Sequence, residues 1–63
     1  MDRTERLYKI DQLLNERRAV AMDILEEELG ISKSTVTRDL EYMRDRLNAP
    51  IIWDRALRGY AFD

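Results

Sequence analysis

The stretch Leu25-Glu26-Glu27-Glu28-Leu29-Gly30-Ile31-Ser32-Lys33-Ser34-Thr35-Val36-Thr37-Arg38-Asp39-Leu40 decides how the chain reads. Its first part closes an apolar stripe at helical spacing, Met22, Leu25 and Leu29. Gly30 stops that helix, because glycine enters the left-handed conformation of a helix end without a Cβ penalty. Only Ile31 separates this stop from a new start. Ser32 is the leading N-cap candidate for the next helix and Ser34 the weaker one. From there Val36, Leu40, Met43 and Leu47 recur at i, i+4, i+7 and i+11, one apolar face. The stretch predicts two helices, 22–29 and about 32–47, joined by a tight glycine turn.

Upstream, Leu7, Ile10, Leu13 and Leu14 share a helical face, which predicts a helix from about Thr4 to Arg17 with Thr4 as its N-cap. Arg17 and Arg18 suit the negative end of its dipole. Arg18-Ala19-Val20-Ala21 reads as a brief strand centred on Val20. Downstream, Asn48-Ala49-Pro50 ends the long helix, since Asn tolerates a left-handed turn and Pro cannot continue a helix. Ile51-Ile52-Trp53-Asp54 and Gly59-Tyr60-Ala61-Phe62 then read as two short strands around the basic loop Arg55-Ala56-Leu57-Arg58, a β-hairpin. Alternation places Ile51 with Trp53, and Tyr60 with Phe62. In so small a domain the three aromatics Trp53, Tyr60 and Phe62 are expected in the core rather than as stacking platforms.

At 63 residues the chain is one domain, residues 1–63, and it buries only about 60% of its unfolded surface. Hydrophobic residues make up 44% and charged residues 38%, too apolar for a disordered tail and too charged for a bilayer segment. The longest apolar run is Ala19–Met22, and the first six residues contain no signal core, so membrane and secreted locations are not expected and a cytoplasmic, nucleoid-associated one is. Cysteine and histidine are both missing, which removes thiolate chemistry and Cys/His zinc sites. No nucleophile–base pair is legible. The expectation is therefore a binding module with no catalytic residues, no metal and no cofactor. Asp23, Glu26, Glu27 and Glu28 fall on more than one helix face and read as a solvated surface. The net charge of −2 is unevenly spread. Residues 1–31 hold five Lys/Arg against eight Asp/Glu, whereas residues 32–62 hold six against four. A local positive field can steer a polyanion despite opposite charge on a distant, screened face.

Opposite the apolar stripe, the third helix carries Ser34, Arg38, Glu41 and Asp45, with Ser32, Lys33 and Thr37 near its start. A helix fits the DNA major groove, and its N-terminal half reaches base edges. Lys33 and Arg38 can donate to guanine or phosphate. Ser34 and Thr37 can meet either, and Thr35 suits phosphate. The helix start also offers N–H groups to an anion. Arg55 and Arg58 in the hairpin loop can lie on a backbone or enter a minor groove. An ordinary solvated helix face with a serine cap explains the same spacing. For Tyr42, phosphate contact and simple packing are both open. Asp39, beside the buried stripe, is expected to orient Arg38 or another arginine rather than to touch DNA.

Beyond spacing, the residues resemble a known family. Arg3-Thr4-Glu5-Arg6-Leu7 looks like the opening of the N-terminal domains of WYL-domain transcriptional regulators, a bacterial family with DeoR-type DNA-binding domains. Leu25 to Ser32 resembles its second helix and turn. Ser34-Thr35-Val36-Thr37-Arg38-Asp39-Leu40, with the run Thr-x-x-Arg-Asp-Leu, resembles its recognition helix. Ala49-Pro50-Ile51-Ile52-Trp53-Asp54 with Arg58-Gly59-Tyr60 resembles its wing. The chain departs from that pattern at Ala21, where a Ser or Thr usually caps the second helix, at Glu26, where a small residue is usual, and at Arg58, where a second glycine often stands.

The resemblance implies a mainly α fold with a small β wing: a winged helix–turn–helix in the order helix, strand, helix, helix, strand, strand. It implies sequence-specific binding of double-stranded DNA for transcriptional regulation. The recognition helix, about 32–47, would enter the major groove, and the wing, about 51–62, would touch backbone or minor groove. The DNA-binding residues expected are Ser32, Lys33, Ser34, Thr35, Thr37, Arg38, Tyr42, Arg55 and Arg58. It also implies a longer natural protein whose C-terminal WYL-type region provides a homodimer. The short chain is expected to be a monomer, because every clear apolar stripe is needed for its own core. The rival reading is a winged-helix protein–protein interaction module, against which the polar start of the third helix argues.

Overall fold

The computed structural model describes every residue, Met1–Asp63. Three helices, α1 (Arg3–Glu16), α2 (Met22–Leu29) and α3 (Lys33–Arg46), precede a hairpin of β1 (Ile51–Asp54) and β2 (Gly59–Phe62). This is the winged helix–turn–helix arrangement. The two strands run antiparallel with Ile51 opposite Phe62 and Trp53 opposite Tyr60.

The helix ends follow from their capping chemistry. Gly30 lies at φ 64°, ψ 36° and donates its N–H to the Glu26 carbonyl at 2.8 Å, ending α2 in the left-handed turn its sequence demands. Ser32 caps α3, its hydroxyl accepting from the Thr35 N–H at 3.4 Å. Asn48, at φ 55°, turns the chain out of α3, and the Ala49 N–H reaches back to the Met43 carbonyl at 2.9 Å. Ala21 gives α2 no side-chain cap. The cap of α1 is Asp2 and not Thr4: Asp2 Oδ1 accepts from the Glu5 N–H at 2.9 Å. A carboxylate is the stronger acceptor at the positive end of a helix dipole, so the helix begins at Arg3 and takes Thr4 into its first turn.

Ile10, Leu13, Leu14, Val20, Leu25, Leu29, Val36, Leu40, Met43 and Ile51 form one buried cluster shared by all three helices and the hairpin. Two expected members lie elsewhere. Leu47 is 55% exposed, because the backbone leaves helical geometry there (φ −109°, ψ 0°) and the i+4 spacing no longer projects its side chain inward. Trp53 is 48% exposed. It shares a strand face with Ile51 but sits nearer the hairpin turn, where it meets Tyr60 edge-on with ring centroids 5.0 Å apart. Tyr60 and Phe62 are half-buried at the rim of the core. The displaced Leu47, with Leu7, Tyr8, Met43, Ala49, Pro50 and Phe62, lines an open groove between α1 and the end of α3. The chain therefore does carry spare apolar surface, contrary to the expectation that the core consumes all of it. No helix is long and apolar enough to cross a membrane.

The expected strand at 18–21 shrinks to one residue. Val20 and Tyr60 exchange two backbone hydrogen bonds, each 2.8 Å, but Met22 already starts α2, so no neighbour remains to extend the ladder. This bridge adds to the core contact of Ile51 in tying the wing down, and it depends on Gly59. A Cβ built there would lie 2.9–3.0 Å from the Val20 backbone N, C and O. Gly59→Ala should therefore push the strands apart at the bridge and lower stability by about 1–3 kcal/mol in chemical or thermal unfolding. An unchanged unfolding midpoint would contradict this.

Candidate nucleic-acid interface

The orientation of α3 is set by a side chain its own sequence does not explain. Asp39 is 3% exposed. It is held by Arg6 of α1, with Nε to Oδ2 at 2.7 Å and Nη2 to Oδ1 at 3.3 Å. A buried carboxylate needs such a partner, and the two-pronged guanidinium fixes the angle between the helices as well as their distance. The hydrogen bond to Asp39 raises the Arg6 pKa above its usual value. Asp39 thus has the structural role expected of it, with Arg6 rather than the adjacent Arg38 as its partner.

With its inner face fixed, α3 presents Ser32, Lys33, Ser34 and Arg38 to solvent, with Thr37 partly covered. Lys33, Ser34, Thr37 and Arg38 line one shallow surface. Their hydroxyls are not equivalent. Ser32 lies 3.1 Å from the Ser34 hydroxyl and 3.2 Å from that of Thr35, a linked group at the helix start. Thr37 donates its hydroxyl proton to the Lys33 carbonyl at 2.9 Å. It therefore faces outward as an acceptor, matched to a base amino group rather than to a phosphate oxygen. Thr35 and Arg38 border a second depression, completed by Arg3, Arg6 and Asp39.

Tyr42 stands on this flank too. The Arg3 guanidinium carbon is 3.7 Å from its ring centroid and that of Arg46 is 5.8 Å away. Arg3 and Arg6 had no legible signal as site residues, because the neighbouring Asp2 and Glu5 make the N-terminus look electrically mixed. Their spacing at i, i+3 was the only clue.

In the wing, Asp54 Oδ1 accepts from the Leu57 N–H at 2.9 Å and closes the loop. Arg55 and Arg58 are exposed there, and they border neither α3 depression. Arg58 adopts φ 52°, the conformation a glycine would take more easily, so the substitution keeps the turn and adds a cation. The acids of α2 form one loose ion pair, Arg17–Glu28 at 3.8 Å, and Glu26 is half-buried without an ion-pair partner.

Residues 5–61 match the model of a family described as HTH domain. No curated protein and no solved structure matches the chain. The capping geometry yields a test of how the helix start is built. Ser32→Ala should cost about 1 kcal/mol of stability by thermal unfolding, while Ser34→Ala should leave it unchanged. Equal losses for both would reassign the cap.

Proposed function

We propose that this chain, which belongs to the HTH domain family and so is a DNA-binding domain of transcriptional regulation, reads a specific double-stranded sequence with α3 in the major groove. The observation that carries the reading is the start of α3. Exposed donors and acceptors cluster over one turn and a half there, while the Arg6–Asp39 pair holds the helix rigidly behind them. Lys33 and Arg38 supply the cations. Ser34 and Thr37 supply shorter-range polar contacts, and the linked Ser32 and Thr35 hydroxyls suit the flanking phosphates. Arg55 and Arg58 of the wing reach the backbone or the minor groove. Tyr42 belongs to the backbone-facing flank.

In this reading the domain serves a regulator of the WYL-domain type acting at the nucleoid. A single module covers roughly 600–1,000 Å² and binds one half-site with steep salt dependence. A homodimer would place two modules on half-sites about one helical turn apart and raise affinity through effective concentration. A protein-docking role for α3 is less well supported, since its outer face offers no apolar anchor.

Arg38→Ala should weaken binding to a duplex selected from a random pool by about 1–3 kcal/mol, measured by fluorescence anisotropy, with the fold retained by circular dichroism. Unchanged affinity for that duplex would refute the base-reading role.

A further inference from the structure

Thr35, Asp39, Tyr42 and Arg46 recur at i, i+4, i+7 and i+11 along α3, so they form one flank of the helix, the flank that faces α1. Four guanidinium groups gather there: Arg6 on Asp39, Arg3 and Arg46 on the Tyr42 ring, and Arg38 at the edge of the same depression. One carboxylate, Asp39, answers them, and Arg6 occupies it through both oxygens. Arg3, Arg38 and Arg46 have no carboxylate within 4 Å. Asp2, the other acid acting on Arg6, is engaged as the cap of α1. The flank is thus strongly cationic within a chain whose net charge is −2.

We propose that Arg3 and Arg46, gathered on the ring of Tyr42, form a binding site for backbone phosphates of the DNA strand bordering the groove that α3 enters. The proposal rests on the DNA-binding reading above and assigns a partner to Arg3 and Arg46, which that reading does not use. Stacking is what makes the geometry informative. A guanidinium that packs its face on an aromatic ring keeps its in-plane N–H donors free, whereas one held by a carboxylate has committed them. Arg3 is held in place yet unsaturated. Arg3 lies 3.7 Å and Arg46 5.8 Å from the same ring centroid, so both guanidinium groups can reach the phosphates of one strand. The Tyr42 hydroxyl adds one more donor for a phosphate oxygen. The position is right as well. A helix inserted by its N-terminal half leaves the groove along its later turns, so its flank at Tyr42 and Arg46 passes the sugar–phosphate wall. Ordering these side chains before binding also removes part of the entropy cost of capturing a strand.

The test compares wild-type chain with Arg3→Ala, Arg46→Ala, the double variant and Tyr42→Leu. Each is titrated with the selected duplex and with a random-sequence duplex over a range of salt concentrations. Arg3 and Arg46 are exposed and touch only the Tyr42 ring, so their variants should stay folded with at most a small drop in thermal unfolding midpoint. Each arginine lost should weaken both duplexes by the same several-fold factor and lower the slope of log K against log salt by about 1. Tyr42→Leu should reproduce part of the loss while both arginines remain. A wild-type chain that binds neither duplex would overturn the DNA-binding reading and this site with it. A wild-type chain that binds, alongside a double variant of equal affinity and slope, would overturn this site alone. So would a loss confined to the selected duplex, which marks base contacts rather than phosphate contacts.

Discussion

The contact between Arg6 and Asp39 is the constraint on which the rest of the molecule depends. Thirty-three residues separate them, and the guanidinium grips both carboxylate oxygens where water hardly reaches. Apolar packing of α1 against α3 is non-directional and would tolerate a range of crossing angles. The ion pair does not. By fixing α3 along its inner edge, it determines which residues face outward, and by anchoring the first turn of α1 it brings Arg3 over Tyr42. One part-buried pair therefore helps to set both the groove-facing surface and its cationic flank.

A second constraint acts at the opposite end. The wing has only two strands of four residues, too little to be stable alone. It is attached by Ile51 in the core and by the Val20–Tyr60 bridge, which the absence of a side chain at Gly59 makes possible. Helices and wing thus form one body around one core. Among the arginines of α1, α3 and the wing loop, only Arg6 is held in an ion pair within 4 Å. An acidic overall balance and a polyanion partner are compatible because the field is local.

Much of the fold was legible where local chemistry decides the backbone. Gly30, Ser32 and Asn48 each perform the cap or turn that their type favours, and the strand alternation located the hairpin correctly. What was not legible depends on tertiary geometry. Periodicity cannot say where a helix stops projecting inward, so Leu47 was expected in the core. Strand alternation gives a face but not how far along it the core extends, which misplaced Trp53. The strand around Val20 was real as a pairing but had no length, because α2 begins two residues later. In the candidate site, the polar start of α3 could be read directly, whereas Arg3 and Arg6 could not, since their role arises only when α1 folds against α3.

The most direct test of the account maps where DNA touches the domain. Amide chemical shifts of the isotope-labelled 63-residue chain, titrated with a duplex selected from a random pool, should move most at Ser32–Arg38, with smaller changes at Arg55–Arg58. The α2 acids from Asp23 to Glu28 should stay still. Largest shifts at Tyr8, Leu47 and Phe62 in the apolar groove, with the start of α3 unmoved, would contradict the account.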